Sequence, residues 1–208
     1  MKASCPSCGA DVPFKSRFAF MAVCNYCKST IVRHDQNLET LGKMSDMPAD
    51  MSPLQIGTTG IYEKEKFEIL GRQKIGYENG SWNEWYILFQ DGTDAWLADA
   101  QGFLMVSFEN RDFKDFPAVS SLKPGSDITI GKTKYTVDDI KNVTCKGSQG
   151  ELPFKCLVGR KSTSIDLVGH ARQFANIDYA ENETHLFLGR YVEVEELELK
   201  NLKQVDGW

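Results

Sequence analysis

The sequence has no long hydrophobic run. None of its 208 residues belongs to a stretch that approaches the ~20 apolar residues needed to cross a bilayer as a helix. The first residues, Met1–Pro6, contain no apolar segment, which argues against a secretory signal. We therefore expect a cytoplasmic protein without a transmembrane segment. In that reducing compartment the six cysteines are more suited to metal binding than to disulfides.

Histidine is scarce, and the common catalytic motifs are missing. The three histidines are His34, His170 and His185, and there is no G-x-S-x-G, H-E-x-x-H, P-loop or G-x-G-x-x-G motif. Asp166 and Asp178 lie near His170 in the sequence, but we interpret His170 as a solvated histidine at a strand end. These absences predict a protein that is not an enzyme.

Four cysteines form a C-x₂-C…C-x₂-C pattern with fifteen residues between the pairs. Each pair predicts a tight turn that directs two sulfurs at one point, and four thiolates complete a tetrahedral zinc shell without an open position. The sequence therefore predicts one structural Zn²⁺ ion. Its ligands are Cys5, Cys8, Cys24 and Cys27.

The segment 1–34 resembles the zinc ribbon. Phe14–Val23 alternates side chains as a strand would, and it returns the chain to the first cysteine pair. About 35 residues bury too little surface to fold alone, so the metal is expected to supply most of the stability. Two redox-active pairs are the alternative, but no βαβ pattern surrounds them.

The charge of −5 is unevenly distributed. Residues 1–34 have five basic residues and one acidic residue, and the remainder carries −9. Zinc with four thiolates would lower the charge of this segment from +4 to about +2, so we do not expect nucleic acid as a partner. The segment does interleave basic and aromatic residues, namely Phe14, Lys15, Arg17, Phe18, Phe20 and Tyr26. We expect these rings to form a small core, and the ribbon to dock on the acidic body or a protein partner.

Residues 35–53 are polar and without a clear period, which predicts a linker with one helical turn near Leu38–Leu41. From Leu54 onward, glycine-containing turns recur about every ten residues, as in an all-β chain. Short helices are expected only around Val137–Lys141 and after Val194.

One hairpin allows a prediction of register. Asp91-Gly92 suits a two-residue turn, which pairs Ile87 with Trp96 and places Trp96 on the same face as Trp85. The opposite face is also largely apolar, so both faces should be covered, as in a small barrel or sandwich.

An internal repeat divides the body into two β units, 54–120 and 121–208. Gly57…Phe67 matches Gly125…Tyr135 at an offset of 68, and Trp85–Phe89 matches Phe154–Val158 at an offset of 69. The sequence therefore predicts a mainly β fold: a small zinc ribbon and a duplicated small β-barrel or sandwich-like domain.

These residues carry a resemblance. The run Phe67–Gly71, the segment Trp82–Phe89 and the pair Trp96-Leu97 resemble the bacterial family called domain of unknown function 4178, over about residues 54–190. The family has no established activity. The resemblance implies a bacterial, β-rich protein that sometimes carries a zinc ribbon. Members tend to be encoded near polyamine-synthesis enzymes and small membrane proteins, which implies a polyamine or membrane-stress context.

Two further groups are candidates for chemistry. Cys145 and Cys156 flank a turn-rich stretch, and we interpret them as small buried side chains, with a redox or metal role as the alternative. Carboxylates alternate with aromatic rings in the first unit, an environment that favours organic cations such as a polyamine. The candidate ligand-binding residues are Trp82, Glu84, Tyr86, Asp94 and Trp96, and the alternative is a core tryptophan pair beside solvated acidic turns.

We therefore predict a non-enzymatic zinc-binding protein whose β body binds a protein or a small ligand. One alternative is an enzyme that uses the aromatic–acidic cleft of the first unit, and another is nucleic-acid binding through the ribbon. A deep pocket with converging polar groups and a titratable residue would favour the enzyme, and a filled barrel would favour the binding protein.

Overall fold

The computed structural model describes residues 2–34, 37–43 and 51–204. Their regular structure consists of fifteen strands and two short 3₁₀ helices, so the prediction of a mainly β protein is confirmed. No helix in this part of the chain is long and apolar enough to cross a membrane.

Five short strands form an N-terminal module that contains both cysteine pairs. They are β1 (Lys2–Ser4), β2 (Asp11–Pro13), β3 (Met21–Val23), β4 (Ser29–His34) and β5 (Asn37–Lys43). β1 pairs with β2, and β3, β4 and β5 form an antiparallel sheet.

Two predictions about this region are corrected. The helical turn near Leu38–Leu41 is wrong, because pairing with β4 keeps these residues extended in β5. Of the predicted strand Phe14–Val23, only Met21–Val23 is a strand. The predicted linker 35–53 thus contains a strand at its start, and its residues 44–50 lie outside the described residues.

Eight strands of the body form a closed antiparallel ring. The first meander consists of β7 (Glu65–Tyr77), β8 (Gly80–Phe89), β9 (Asp94–Ala100) and β10 (Phe103–Glu109). The second consists of β12 (Thr133–Leu152), β13 (Lys161–Val168), β14 (Gln173–Ala180) and β15 (Thr184–Val192). β7 pairs with β12, and β10 pairs with β15, so the two meanders close one barrel.

Glycines allow the two meanders to approach each other at both joints. Gly71 of β7 lies opposite Gly150 of β12, and a Cβ at Gly71 would come within 1.8 Å of the Glu151 carbonyl oxygen. A Cβ at Gly189 of β15 would come within 1.9 Å of the Val106 carbonyl oxygen of β10. Any larger residue at Gly71 or Gly189 would therefore force the paired strands apart.

Each meander is preceded by a strand that pairs with its first strand from outside the ring. These strands are β6 (Thr59–Tyr62), which pairs with β7, and β11 (Asp127–Ile130), which pairs with β12. Gly57 and Gly125, aligned by the predicted repeat, both have positive φ. The second part of that alignment fails, because Trp85–Phe89 belongs to β8 whereas Phe154–Val158 lies in the loop after β12. Duplication and the domain boundaries stay predictions.

The turn between β8 and β9 differs from the predicted one. The Gly92 N–H donates to the Phe89 carbonyl at 3.0 Å, and the Phe89 N–H donates to the Thr93 carbonyl at 2.8 Å. The loop therefore has three residues, and Gly92 takes the left-handed conformation with φ +87°. One extra loop residue shifts the register of the hairpin by one.

This shift moves Trp96 to the other face. Trp96 pairs with Tyr86 instead of Ile87, so its side chain points into the barrel and not toward Trp85. The predicted core stripe on β8 is otherwise confirmed. The outward-facing core of this hairpin consists of Trp85, Ile87, Phe89, Ala95 and Leu97.

Both meanders have an apolar outer face that other segments cover. Leu54, β6 and the 3₁₀ helix Val194–Leu197 pack on the first meander. Residues 113–122 and β11 pack on the second. The helix expected after Val194 is confirmed, whereas Val137–Lys141 lies in β12 because it pairs with β13.

Candidate functional site

The barrel interior contains a cavity of about 370 Å³. All eight strands of the ring contribute side chains to its wall. Because side chains alternate along a strand, the same strands that present an apolar face outward present a second set of residues to the cavity.

Three of the five predicted ligand-binding residues line this cavity: Trp82, Glu84 and Trp96. Tyr86 and Asp94 lie on the same face but further along the barrel, and both are buried. The Tyr86 hydroxyl donates to the Asp94 carboxylate at 2.9 Å. The alternation of carboxylates and aromatic rings in the hairpin therefore identified residues of its inward face. The predicted register, however, placed Trp96 on the opposite face.

Glu84 is the titratable group of the cavity wall. Its Oε1 accepts the indole N–H of Trp82 at 2.9 Å, and its Oε2 accepts the side-chain amide of Gln73. Burial raises the pKa of Glu84 to about 7, and the carboxylates of Asp178 and Asp166 act in the same direction against these two hydrogen bonds. The group is therefore partly protonated at neutral pH, and a cation in the cavity would favour its ionised form.

The second meander supplies a polar wall. The Asn176 amide donates to Asp166 at 2.8 Å and to Ser164 at 2.7 Å, and burial raises the pKa of Asp166. Asp178 pairs with Arg160 at 2.8 Å. Several polar side chains of this wall therefore have hydrogen-bond or ion-pair partners within the protein.

The cavity opens at the end of the barrel where β7 turns into β8 and β9 turns into β10, which we call the open end. Phe103 is 62% exposed there, and its ring meets Tyr191 edge-on with centroids 6.2 Å apart. Tyr77 and Trp82 form a second ring pair at 5.7 Å. A ligand entering at this end would pass between aromatic side chains.

The opposite end, which we call the closed end, packs against the N-terminal module. β3 pairs with the last residues of β12 through Met21 and Leu152. Met21 belongs to the same buried cluster as Trp96 and Phe154. Because Trp96 and Phe154 also line the cavity, the module supports the floor of the cavity.

One buried carboxylate anchors the module at the closed end. Glu151 is 6% exposed and accepts the backbone N–H groups of Lys15 at 2.9 Å and Ser16 at 3.0 Å. The Ser16 hydroxyl lies 2.8 Å from the Tyr86 hydroxyl. These amides bond to a side chain rather than to a neighbouring strand, which explains why Phe14–Val23 is not one continuous strand. The module therefore docks on the body, which is one of the two alternatives that the sequence left open for the ribbon.

The four predicted metal ligands lie together in the module. Cys5 and Cys27 have Sγ atoms 3.7 Å apart, and Cys8 and Cys24 have Sγ atoms 3.8 Å apart. All four sulfurs lie within 4.8 Å of one another. Sulfurs at about 2.3 Å from a tetrahedral zinc ion are separated by about 3.8 Å, so the site fits a metal ion.

Residues 55–194 of this chain match the family described as domain of unknown function (DUF4178). The chain belongs to the DUF4178 family. No curated protein and no solved structure matches it. The match covers the barrel and the strand β6, and it does not extend to the N-terminal module.

The aromatic side chains of the N-terminal module are mostly engaged in packing. Phe14 is 2% exposed, and Phe20 packs on the cluster at the closed end of the DUF4178 barrel. Arg111 of the barrel lies over the Phe18 ring at 4.6 Å. Tyr26, at 81% exposure, is the ring that remains available for stacking with a base.

His170 and His185 lie outside the cavity wall. His170 is exposed, as its interpretation as a solvated residue requires, and the side chain of His34 is outside the described residues. His185 Nδ1 lies 2.7 Å from the Glu109 carboxylate. Burial lowers the pKa of His185, but Glu109 outweighs it and raises the pKa above its usual value.

The sequence prediction missed the part of the site that the second meander supplies. Ser162, Ser164 and Asp166 alternate with Thr163, Ile165 and Leu167 in β13, a pattern that also fits a strand with one face in water. Only closure of the DUF4178 barrel turns this polar face into a cavity wall. The alternation was therefore the available signal, but it did not distinguish solvent from cavity.

Proposed function

We propose that the DUF4178 barrel binds a small organic cation in its cavity, and that the four cysteines hold one structural zinc ion. The observation that carries the first part is Glu84, a carboxyl group with a raised pKa in an aromatic-lined cavity. A polyamine is one member of this ligand class. Binding of a protein partner stays a prediction.

The charges of the cavity favour a cation. Five carboxylates and two basic side chains line it. Asp139 pairs with Lys141, and Asp178 pairs with Arg160. The other three carboxylates, Glu84, Asp138 and Asp166, have no ion-pair partner within the described ranges 2–34, 37–43 and 51–204.

The aromatic rings and the size of the cavity agree with this ligand class. The faces of Trp82 and Trp96 attract cations through their ring quadrupoles, and the attraction is stronger where water is excluded. The volume lies within the range of about 300–1,000 Å³ that is typical of small-molecule sites. An elongated cation can therefore combine contact with Glu84 and contact with the rings.

Titration calorimetry with spermidine at pH 8 tests this function. We expect saturable binding that Glu84→Gln weakens by about 30-fold, since a charged hydrogen-bond partner contributes about 2 kcal/mol. Asp127→Asn is the matched control, because Asp127 is an exposed carboxylate paired with Lys134 outside the cavity. Absence of heat at millimolar spermidine would contradict the proposal.

Metal analysis tests the zinc site. We expect one zinc ion per chain after purification without chelators, and its loss in the double variant Cys5→Ser/Cys8→Ser. Cys145→Ser is the control, because Cys145 lies outside the module. Full zinc content in the double variant would assign the metal to another site.

An enzyme is the second candidate, and Glu84 is again the observation that favours it. The cavity has converging polar groups and a titratable residue, the condition stated above for an enzyme, and a carboxyl with pKa near 7 suits a general acid or base. Against it, no serine that lines the cavity is hydrogen-bonded to a carboxylate or an imidazole in the described residues. Prolonged incubation with the bound cation distinguishes the two: a binding protein returns it unchanged by NMR.

A further inference from the structure

The two cysteines outside the N-terminal module form a buried pair. Cys145 of β12 and Cys156 of the following loop have Sγ atoms 3.1 Å apart, and both side chains are at most 1% exposed. A disulfide requires an S–S distance of about 2.05 Å, so a movement of about 1 Å would join them. They are the small buried side chains that the sequence predicted, and their contact also meets the geometric condition of the alternative redox role.

A short chain of hydrogen bonds connects this pair to the cavity. The Cys156 Sγ donates to the side-chain oxygen of Gln73 at 2.6 Å. The amide nitrogen of Gln73 in turn donates to the Glu84 carboxyl. Gln73 is 4% exposed, so the orientation of its amide depends on these two partners.

We propose that Cys145 and Cys156 form a reversible disulfide that releases Gln73 from Glu84 and thereby weakens cation binding in the cavity. The effect on cation affinity rests on the proposed function. The disulfide and its effect on the ionisation of Glu84 do not.

A hydroperoxide is the class of oxidant that this chemistry requires. The Cys145 thiolate attacks one peroxide oxygen, so an S–O bond forms, the O–O bond breaks, and the departing oxygen takes up a proton and leaves as an alcohol or water. The Cys156 sulfur gives up its proton and attacks the Cys145 sulfur, so the S–S bond forms, the S–O bond breaks and water leaves. Two thiols and one hydroperoxide give one disulfide, one water and one alcohol, and a dithiol reductant reverses the change.

The two sulfurs are suited to different steps. The contact with Cys156 lowers the pKa of Cys145, whereas the same contact together with burial raises the pKa of Cys156. Cys145 is therefore the thiol that ionises first and attacks the oxidant. Cys156 stays protonated and donates its hydrogen bond to the Gln73 oxygen until the second step.

Oxidation removes the donor that orients Gln73. A disulfide sulfur carries no proton, so the Gln73 oxygen loses its hydrogen bond and the amide is free to rotate away from Glu84. Without that N–H group the ionised form of Glu84 is less stabilised, and its pKa rises further above its usual value. A protonated Glu84 attracts a cation less strongly at neutral pH.

The experiment compares zinc-loaded wild type with Cys145→Ser after the same treatment with hydrogen peroxide. The variant cannot form the disulfide but retains the Cys156–Gln73 hydrogen bond. In wild type we expect a disulfide-linked peptide containing Cys145 and Cys156. We also expect the Trp82 indole N–H resonance, which reports on Glu84, to titrate about one pH unit higher, and spermidine to bind about fivefold more weakly at pH 7. Dithiothreitol should reverse all three, and Cys145→Ser should show none.

Separate outcomes decide the separate parts. Absence of the linked peptide would overturn the proposal, and a linked peptide with an unchanged Trp82 titration would overturn the coupling to Glu84. If reduced protein does not bind spermidine, the proposed function fails, but the peptide and the titration still decide whether the disulfide controls Glu84. Zinc content measured before and after treatment shows that the module is intact in both proteins.

Discussion

The two ends of the barrel use a buried carboxyl group in opposite ways. At the closed end, Glu151 accepts hydrogen bonds from two backbone N–H groups of the N-terminal module, so its partners belong to the protein itself. Nearer the open end, Glu84 is bonded by two side chains and faces a cavity that reaches solvent past Phe103. The same type of group thus joins two parts of the chain at one end and remains available to a ligand at the other.

The comparison shows what the N-terminal module contributes. Its strand β3 continues the sheet from the end of β12, and Met21 packs on residues that line the floor of the cavity. The module is therefore part of the structure that surrounds the cavity, although the DUF4178 match does not include it. Four changes would test the difference between the ends.

Metal removal should disrupt the closed end. A strong chelator is expected to unfold the N-terminal module, because four unligated thiolates and so few buried residues cannot hold it together. The barrel would lose the packing of Met21 and the donors of Glu151, which should lower its free energy of unfolding by about 2–4 kcal/mol. Urea unfolding followed by tryptophan fluorescence measures this, since Trp82, Trp85 and Trp96 belong to the barrel and residues 1–43 contain no tryptophan.

The same measurement on Cys145→Ser, with and without chelator, is the control for thiol chemistry outside the module. We expect it to lose stability on chelation as the wild type does. If chelation leaves the stability of the barrel unchanged in both proteins, the closed end does not depend on the module.

Glu84→Gln should stabilise the barrel while it weakens ligand binding. A carboxyl with pKa about 7 in the folded protein and about 4.3 unfolded binds its proton more tightly when folded, so its contribution to stability is lost as pH rises from about 4 to 7. The cost at pH 8 is about 3–4 kcal/mol. We expect urea midpoints of wild type and variant to diverge over this range, with the variant more stable above pH 7.

Asp127→Asn, which alters an exposed carboxylate, provides the comparison for this pH series. The urea midpoint of Asp127→Asn should follow the same pH dependence as that of the wild type, so the divergence from Glu84→Gln stays the same. Parallel pH profiles of wild type and Glu84→Gln would show that Glu84 titrates in its ordinary range, and the contrast between the two ends would disappear.

Glu151→Gln should loosen the closed end by about 1–3 kcal/mol, because an amide has one acceptor oxygen for the two backbone donors that the carboxylate serves. Hydrogen exchange at the amides of Lys15 and Ser16 measures the effect, and we expect it to accelerate. Glu68→Gln is a matched control, since Glu68 pairs with the partly exposed side chain of Lys15 and not with the backbone. Equal effects of the two substitutions would argue against a special role for Glu151.

Trp82→Phe should have the smallest effect, about fivefold weaker spermidine binding, because the ring is kept but the N–H donor to Glu84 is lost. Trp85→Phe is its counterpart on the outer face, where the Trp85 N–H has no hydrogen-bond partner in the part of the chain described here. We expect Trp85→Phe to leave the calorimetric affinity unchanged. A larger loss of affinity in Trp85→Phe would place the ligand outside the cavity.

Predictions that rest on short spacings in the sequence were the successful ones. The four cysteines that lie together were identified from their spacing alone, and the glycine-containing turns indicated the β body. The placement of Trp82 and Glu84 on one face of their strand, opposite Trp85, also followed from the period of two along one strand. Each of these depends on residues that are neighbours in the chain.

Predictions that needed contacts between distant segments failed or could not be made. The register of the β8–β9 hairpin depended on whether its loop has two or three residues. The same sequence is compatible with both lengths, and the hydrogen bond of the Gly92 N–H decides for three. The bond between Glu151 and Lys15 spans 136 positions, and no local pattern indicates it. The contact between Cys156 and Gln73 spans 83 positions in the same way.

The sequence by itself determined the cysteine cluster, the β character of the body and the alternation of polar and apolar residues along its strands. The tertiary structure decided which polar faces meet water and which enclose a cavity, because that depends on closure of the ring at Gly71–Gly150 and at Gly189. It also decided the raised pKa of Glu84, since burial of a charge is a property of everything packed around it and not of the residue itself.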